Sequence, residues 1–336
     1  MYLHTRWFVF SFLALLAGVV NAQLTEFIDA KHIYGNTDLI LVCQVPALEA
    51  HLNPQAQQKV EEVHQSLTEM VGADTKKLNE FIIQFGAKSY GNNSIGPTIG
   101  IVCRCHDEIP KESIEKFIAK WQLQPNEHND HIYFMRGGSE PAFVFSENSL
   151  LIAEAERAIE YFQQLQSGEY ESGIDILQHT LLGSEISGHI NLEKTGITML
   201  LKELLEESTR TRSQPTLKAL FQHAENANLQ ISLDQSPTIQ LSFQAQDPSD
   251  LPPLEMEVKK LLAGSLTYLQ SLKSSMETST ASAQNDLFQS IIDVLASLKT
   301  SQTGDAVIVS ANDEKLLRDL LNHFVIYLHS VLIPAP

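Results

Sequence analysis

From residue 37 onward the apolar positions fall into short alternating runs and longer helical stripes, and the same succession occurs twice. Leu39–Val45 alternates with the period of a strand that buries one face. Residues 55–71 then place Val60, Val63, Leu67, Met70 and Val71 on one side of a helix. Phe81, Ile83 and Phe85 predict a second strand, and Ile99, Ile101, Cys103 and Cys105 a third. Pro110 opens a helix striped by Ile114, Phe117, Ile118 and Trp121. A hairpin of Ile132–Met135 and Ala142–Phe145, joined by Gly137-Gly138-Ser139, leads to a strand at Leu151-Ile152-Ala153.

The second series starts with a strand at Ile186–Leu192 and a helix through Leu200, Leu201, Leu204 and Leu205. Leu229, Ile231 and Leu233 form the next strand, and Asp234-Gln235-Ser236-Pro237 turns it tightly into Ile239–Ala245. A helix over 251–272 carries Leu254, Val258, Leu261, Leu262 and Leu269. The Ser/Thr-rich stretch Ser274–Ala283, a helix over 286–298 and a strand at Val307–Ser310 follow. The last helix is striped by Leu316, Leu317, Leu320, Leu321, Phe324 and Leu328.

Three segments match between the series in the same order: Thr37–Val45 with Ser184–Leu192, Pro97–Asp107 with Pro237–Asp247, and Leu151–Ala153 with Ile308–Ser310. Each series reads β-α-β-β-α-β, the split βαβ or ferredoxin-like arrangement. The expectation is an α+β protein of two tandem repeats, each an antiparallel sheet with helices packed on one face. The first spans 23–167 and the second 184–336, with 168–183 as linker.

Ahead of the repeats, Arg6 precedes the apolar run Trp7–Val20, and Val20-Asn21-Ala22 offers small residues for cleavage. That is the layout of a secretory signal peptide over 1–22. The apolar run falls short of the roughly 20 residues that span a bilayer, and no transmembrane span is expected in the mature chain. Export to the periplasm, cell envelope or medium is the expected localisation. The 336 residues carry 23 Lys+Arg against 41 Asp+Glu, a net charge of -18, which disfavours nucleic acid and anionic lipid surfaces.

With its signal peptide, its duplicated split βαβ and Met70-Val71-Gly72-Ala73-Asp74 leading into a strand, the chain resembles a class of exported bacterial proteins of the planctomycete type. The resemblance implies the duplicated architecture and brings no catalytic residues with it.

Candidate chemistry is sparse. Ser113-Ile114-Glu115-Lys116, Ser146-Glu147-Asn148 and Lys194-Thr195-Gly196 spell the S-x-x-K, S-x-N and K-T-G of penicillin-binding proteins, in order. Their spacing is too short for that family, and Ser146–Ser149 reads as a hairpin turn. Glu127-His128-Asn129-Asp130-His131, with His106 and Asp107, is the best histidine cluster, yet a polar loop accounts for it without a metal. Tyr90–Gly96 reads as a loop inserted between two strands of the first repeat, and Asn92-x-Ser94 is a glycosylation sequon.

Cys43, Cys103 and Cys105 fall on the helix-facing side of their strands, as core thiols. A split βαβ sets its first and third strands side by side, so the alternative is a disulfide from Cys43 to Cys103 or Cys105. No catalytic, cofactor-binding or metal-ligating residue is assigned, and no cofactor. The expected function is an exported, non-enzymatic binding or scaffold protein of the cell envelope that meets another protein or itself. The alternatives are a small-ligand or lipid carrier, and an exported hydrolase whose site is assembled from separate loops.

Overall fold

A computed structural model describes residues 37–44, 46–71, 78–90, 94–105, 107–128, 131–137, 141–146, 148–154, 158–160, 184–192, 220, 222–233, 236–276 and 282–332. Among the described residues twelve strands form one antiparallel sheet. The first half supplies β1 (Thr37–Gln44), β2 (Leu78–Tyr90), β3 (Ser94–Cys105), β4 (Gln124–His128), β5 (His131–Met135), β6 (Ala142–Phe145) and β7 (Ser149–Ala153). From the second half come β8 (Ile186–Asn191), β9 (Ala224–Ser232), β10 (Thr238–Ala245), β11 (Lys299–Thr303) and β12 (Ala306–Ala311).

The order across the sheet is β11-β12-β10-β9-β8-β1-β2-β3-β7-β6-β5-β4. Read outward from the central pair, both sides place the first strand of a half, then its second, then its third. The two halves join where Leu41 faces Gly188 across β1 and β8. A side chain there would be crowded: a Cβ on Gly188 would stand 3.1 Å from Leu41 Cδ1 and 3.4 Å from Leu229 Cβ.

The α+β class is as expected, but the strand order within a half is not ferredoxin-like. Each first strand lies beside the second, as in the β1–β2 and β8–β9 ladders, and the third lies one strand further out. A split βαβ would leave a gap that the third strand fills; here the second strand returns antiparallel and takes that place.

Six helices are described: α1 (Pro46–His51), α2 (Pro54–Val71), α3 (Lys111–Trp121), α4 (Leu251–Met276), α5 (Ser282–Ser297) and α6 (Glu314–Leu332). Local chemistry sets their starts. Asn53 Oδ1 accepts the Ala56 N–H at 2.9 Å just ahead of Pro54, and Asp313 Oδ1 accepts the Leu316 N–H at 3.1 Å. α3 ends at Gln122, which takes the left-handed conformation with φ 53°. Gly304, at φ 61°, allows the tight turn between β11 and β12.

The helices share one face of the sheet. Under α2, α5 and α6 lies a core drawn from both halves, with Leu41 and Ile83 of the first beside Ile186 and Ile231 of the second. Leu254 and Val258 of α4 pack on Phe243, Val307 and Val309. Phe117 of α3 stacks edge-on against Phe143 and Phe145, with ring centroids 5.3 Å and 5.6 Å apart. Strand alternation puts Ile239, Leu241, Phe243 and Ala245 on this face, as their spacing predicts.

On the opposite face, Ile40, Val42, Ile82 and Val102 are buried together with Val144, Leu151 and Ala153. Burying each of the isoleucine, valine and leucine side chains contributes on the order of 1.5–3 kcal/mol. β5 and β6 extend the sheet sideways, and Ala158, beyond β7, packs against the cluster. In the second half, the polar Ser187 and His189 are buried on this face. Among the described residues the two edge strands, Lys299–Thr303 and the Pro125-bearing Gln124–His128, are polar, which disfavours pairing with a neighbouring sheet.

Candidate functional site

The penicillin-binding pattern spreads over separate elements. Ser113 and Lys116 lie one turn apart on α3, and exposed Ser146 opens the β6–β7 turn, where its N–H donates to Ser149 O at 2.8 Å. Lys194-Thr195-Gly196 falls outside the described residues. His128 and His131 face each other at the end of the β4–β5 hairpin, with exposed Asp107 in another loop; His106, Asn129 and Asp130 also fall outside. Among the described residues no group of three or more His, Cys, Asp and Glu side chains gathers to hold a metal ion.

Cys103 and Cys105 are free thiols, so neither bonds to Cys43. The topology gives the reason. Cys43 pairs with Phe81 of β2, and Phe81 pairs with Cys103 of β3, so an intervening strand holds the two cysteine backbones about 9–10 Å apart. A disulfide requires less than about 7 Å. Cys103 is half-buried, and desolvation, reinforced by Cys105, pushes its thiol up to about 12, which suits an inert packing residue.

Polar groups inside the sheet form a row that periodicity did not reveal. Register runs from Gln44 to Glu80, then Arg104, then Ser149, across β1, β2, β3 and β7. Glu80 and Arg104 are 3% and 8% exposed and form an ion pair, with Arg104 Nε 3.0 Å from Glu80 Oε2. Burial pushes the Glu80 carboxyl above its usual range against the pull of Arg104. Two steps along the same face, the Thr37 hydroxyl donates to Gln84 Oε1 at 3.1 Å. Further across, His189 Nδ1 lies 2.8 Å from Asn228 Oδ1, and the Ser184 and Ser187 hydroxyls are 3.0 Å apart. These contacts let a polar face be buried at all. They are structural pairs, with no nucleophile aligned on a base.

Concavities are modest. An apolar cavity of about 30 Å³ under α6 is lined by Ile231, Leu233, Ile239, Leu317 and Phe324. That is room for one water, far below the ~300 Å³ that a ligand pocket needs. A groove of about 380 Å³ beside α2 is lined by Glu49, Pro54, Gln57, Gln58, Val60 and Glu61 and is open and largely polar.

The surface feature that stands out is the outward side of α4. The N-terminal half of this helix packs on the sheet, and α5 supports it from the side. Between Leu261 and Leu272 it carries no charged residue. Ala263, Gly264, Thr267, Tyr268 and Ser271 are exposed along that stretch; Tyr268 is 56% exposed and Met256, nearer the start, 51%. A Cβ added at Gly264 would meet nothing within 4 Å. A charge-free, aromatic-bearing helical surface is unusual on a chain of net charge -18, where solvated faces are charged. No helix among the described residues is long and apolar enough to cross a membrane.

No protein-family model matches the chain, and no curated protein sequence does. Solved structures with some likeness are crystal forms of TP0453. Form I shows 12% identity and a TM-score of 0.41 over 90% of this chain and 99% of that one. Form III shows 10% identity and a TM-score of 0.43, covering 89% and 99%. Form IV gives 11% and 0.42, covering 87% and 95%. A likeness at this level carries no property over to this chain.

Proposed function

We propose that the chain is an exported, non-enzymatic binding protein of the cell envelope, of the planctomycete-like exported class that its sequence resembles. In this reading it arose by duplication of one β-α-β-β-α-β unit, and the two copies fused through the β1–β8 ladder and a common helix layer. The matched segments and the parallel strand order on either side of that ladder support the duplication. Export rests on the signal-peptide pattern of residues 1–22, which lie outside the described residues.

One observation carries the binding role: the exposed, uncharged face of α4 around Gly264 and Tyr268. Protein interfaces are depleted in charge at their centre and enriched in aromatic residues, and this face has both properties. The partner surface would be a folded protein with an apolar groove or helix of its own. The test is affinity capture from the native envelope with wild-type bait and with a Gly264→Arg/Tyr268→Glu bait. Support would be one identified protein held by the wild type and lost with the double variant, both baits remaining equally folded by circular dichroism. Identical recoveries with both baits would remove α4 as the binding face.

A further inference from the structure

Besides the β1–β8 ladder, the halves meet where α2 of the first lies along α6 of the second. The polar links of this seam sit at Arg318, Asn322 and His329 of α6. Arg318 Nη1 lies 3.3 Å from His51 Nδ1, and Asn322 Oδ1 accepts the Asn53 N–H at 2.9 Å. Near the end of α6, His329 Nε2 lies 2.5 Å from Glu62 Oε2. Lys59 Nζ donates to the same oxygen at 2.9 Å and stands 3.5 Å from His329 Nε2. Glu62 Oε2 is therefore shared by two nitrogen groups, one on its own helix and one on the other half of the molecule, while the neutral Gln58 amide donates to Glu62 Oε1 at 3.2 Å.

We propose that Lys59, Glu62 and His329 form an acid-release clasp, which holds the last turns of α6 on α2 while Glu62 is ionised and frees them when it takes a proton. The charged groups in contact with His329 are Lys59 and Glu62, both on α2. α5, which also packs on α6, meets it through Ser290 and His323, and Arg318 is paired with Glu314 further up the helix. Protonation of Glu62 removes the anion and leaves the Lys59 ammonium and the His329 ring facing each other. The two upper links involve no carboxylate of α2 and stay in place, so release is confined to the helix end.

The sign of the effect follows from linkage. Hydrogen bonds from Lys59 and then His329 hold the Glu62 carboxyl below its ordinary value of 4.5. A carboxyl lowered on folding stabilises fully above its unfolded value and loses that contribution as pH falls through the folded one. Release therefore belongs below 4.5, not in the neutral range.

Amide hydrogen exchange of the full mature protein, corrected for the intrinsic pH dependence of exchange, reads this directly. Between about pH 7 and about pH 3.5, opening of 326–332 should rise about twofold to fivefold relative to 316–325, the scale of one partly exposed ion pair. Glu62→Gln should show the raised opening already at neutral pH and have no acid step left. Lys59→Met should shrink the step, because one of the facing nitrogen groups is gone. A wild type whose 326–332 segment shows no relative change in acid overturns the clasp, even if neither variant folds. So does an acid step that persists in Glu62→Gln.

Discussion

Arg104→Met is the most informative perturbation of the fold, because the Glu80–Arg104 pair is buried where water cannot screen it. Arg104 opposes the desolvation that burial imposes on Glu80. Methionine keeps much of the volume and removes the charge. The Glu80 carboxylate, 3% exposed, then stays in the sheet without its guanidinium. Breaking a buried pair from one side costs about 3–5 kcal/mol. For a chain of this length that is a fall in Tm of roughly 6–10 °C, taking about 2 °C per kcal/mol.

Two further readouts separate this mechanism from simple loss of packing. Adding Glu80→Leu to Arg104→Met should recover most of the stability, since replacing both partners with apolar groups is near neutral or better. Acidification should also narrow the gap between Arg104→Met and wild type. Glu80 already titrates above its unfolded value, and losing Arg104 raises it further. The stability tied to its proton is therefore present at low pH and lost as pH rises through the folded value. Differential scanning calorimetry of the wild type, the single variant and the double variant at about pH 5 and about pH 8 covers both. A loss under 1 kcal/mol, or a double variant no more stable than the single, would refute the reasoning.

Gly188→Val should lower stability by about 1–3 kcal/mol in chemical denaturation, because its Cβ would press on Leu41 Cδ1 at 3.1 Å at the junction of the halves. Thiol titration of the denatured, unreduced protein should find three reactive cysteines, and native Cys103 should alkylate far more slowly than a free thiol; one titratable thiol would mean a bridge. The mature protein should not be labelled by a fluorescent penicillin, and labelling abolished by Ser113→Ala would restore the hydrolase reading.

Elements with a dry face were legible in the sequence, because alternation and helical spacing report burial directly. The strands around Ile83, Ile101 and Phe243 and the helices α2, α4 and α6 follow from that pattern. β4 (QPNEH) and β11 (KTSQT) lie at the edges of the sheet among the described residues, where backbone pairing on one side suffices and no apolar face is needed, so they left no such trace. Tyr90–Gly96 reads as a loop in sequence, but β2 and β3 stay paired out to Tyr90 and Ser94.

Strand order was the larger miss. Periodicity fixes which face a residue takes, not which strand lies beside it, and the placement of Cys43 next to Cys103 failed on that point. The buried polar row failed for a related reason. Glu80, Arg104, Ser187 and His189 carry no apolar periodicity, so their burial shows only once cross-strand partners are known. The clasp depends on the same kind of distant pairing: Lys59 and Glu62 are visible as an i,i+3 pair, but His329 lies 267 residues from Glu62.

The binding role of α4 is tested most directly by a photo-crosslinking amino acid at position 264, where nothing lies within 4 Å, in cells that export the protein. A matched probe at Lys259, whose side chain is 57% exposed on the charged part of the same helix, serves as the control. The account predicts one discrete adduct from position 264, competed away by unlabelled wild type and absent from position 259. Diffuse labelling that is equal at both positions would show α4 to be plain solvent-facing surface, and would contradict a binding role for it.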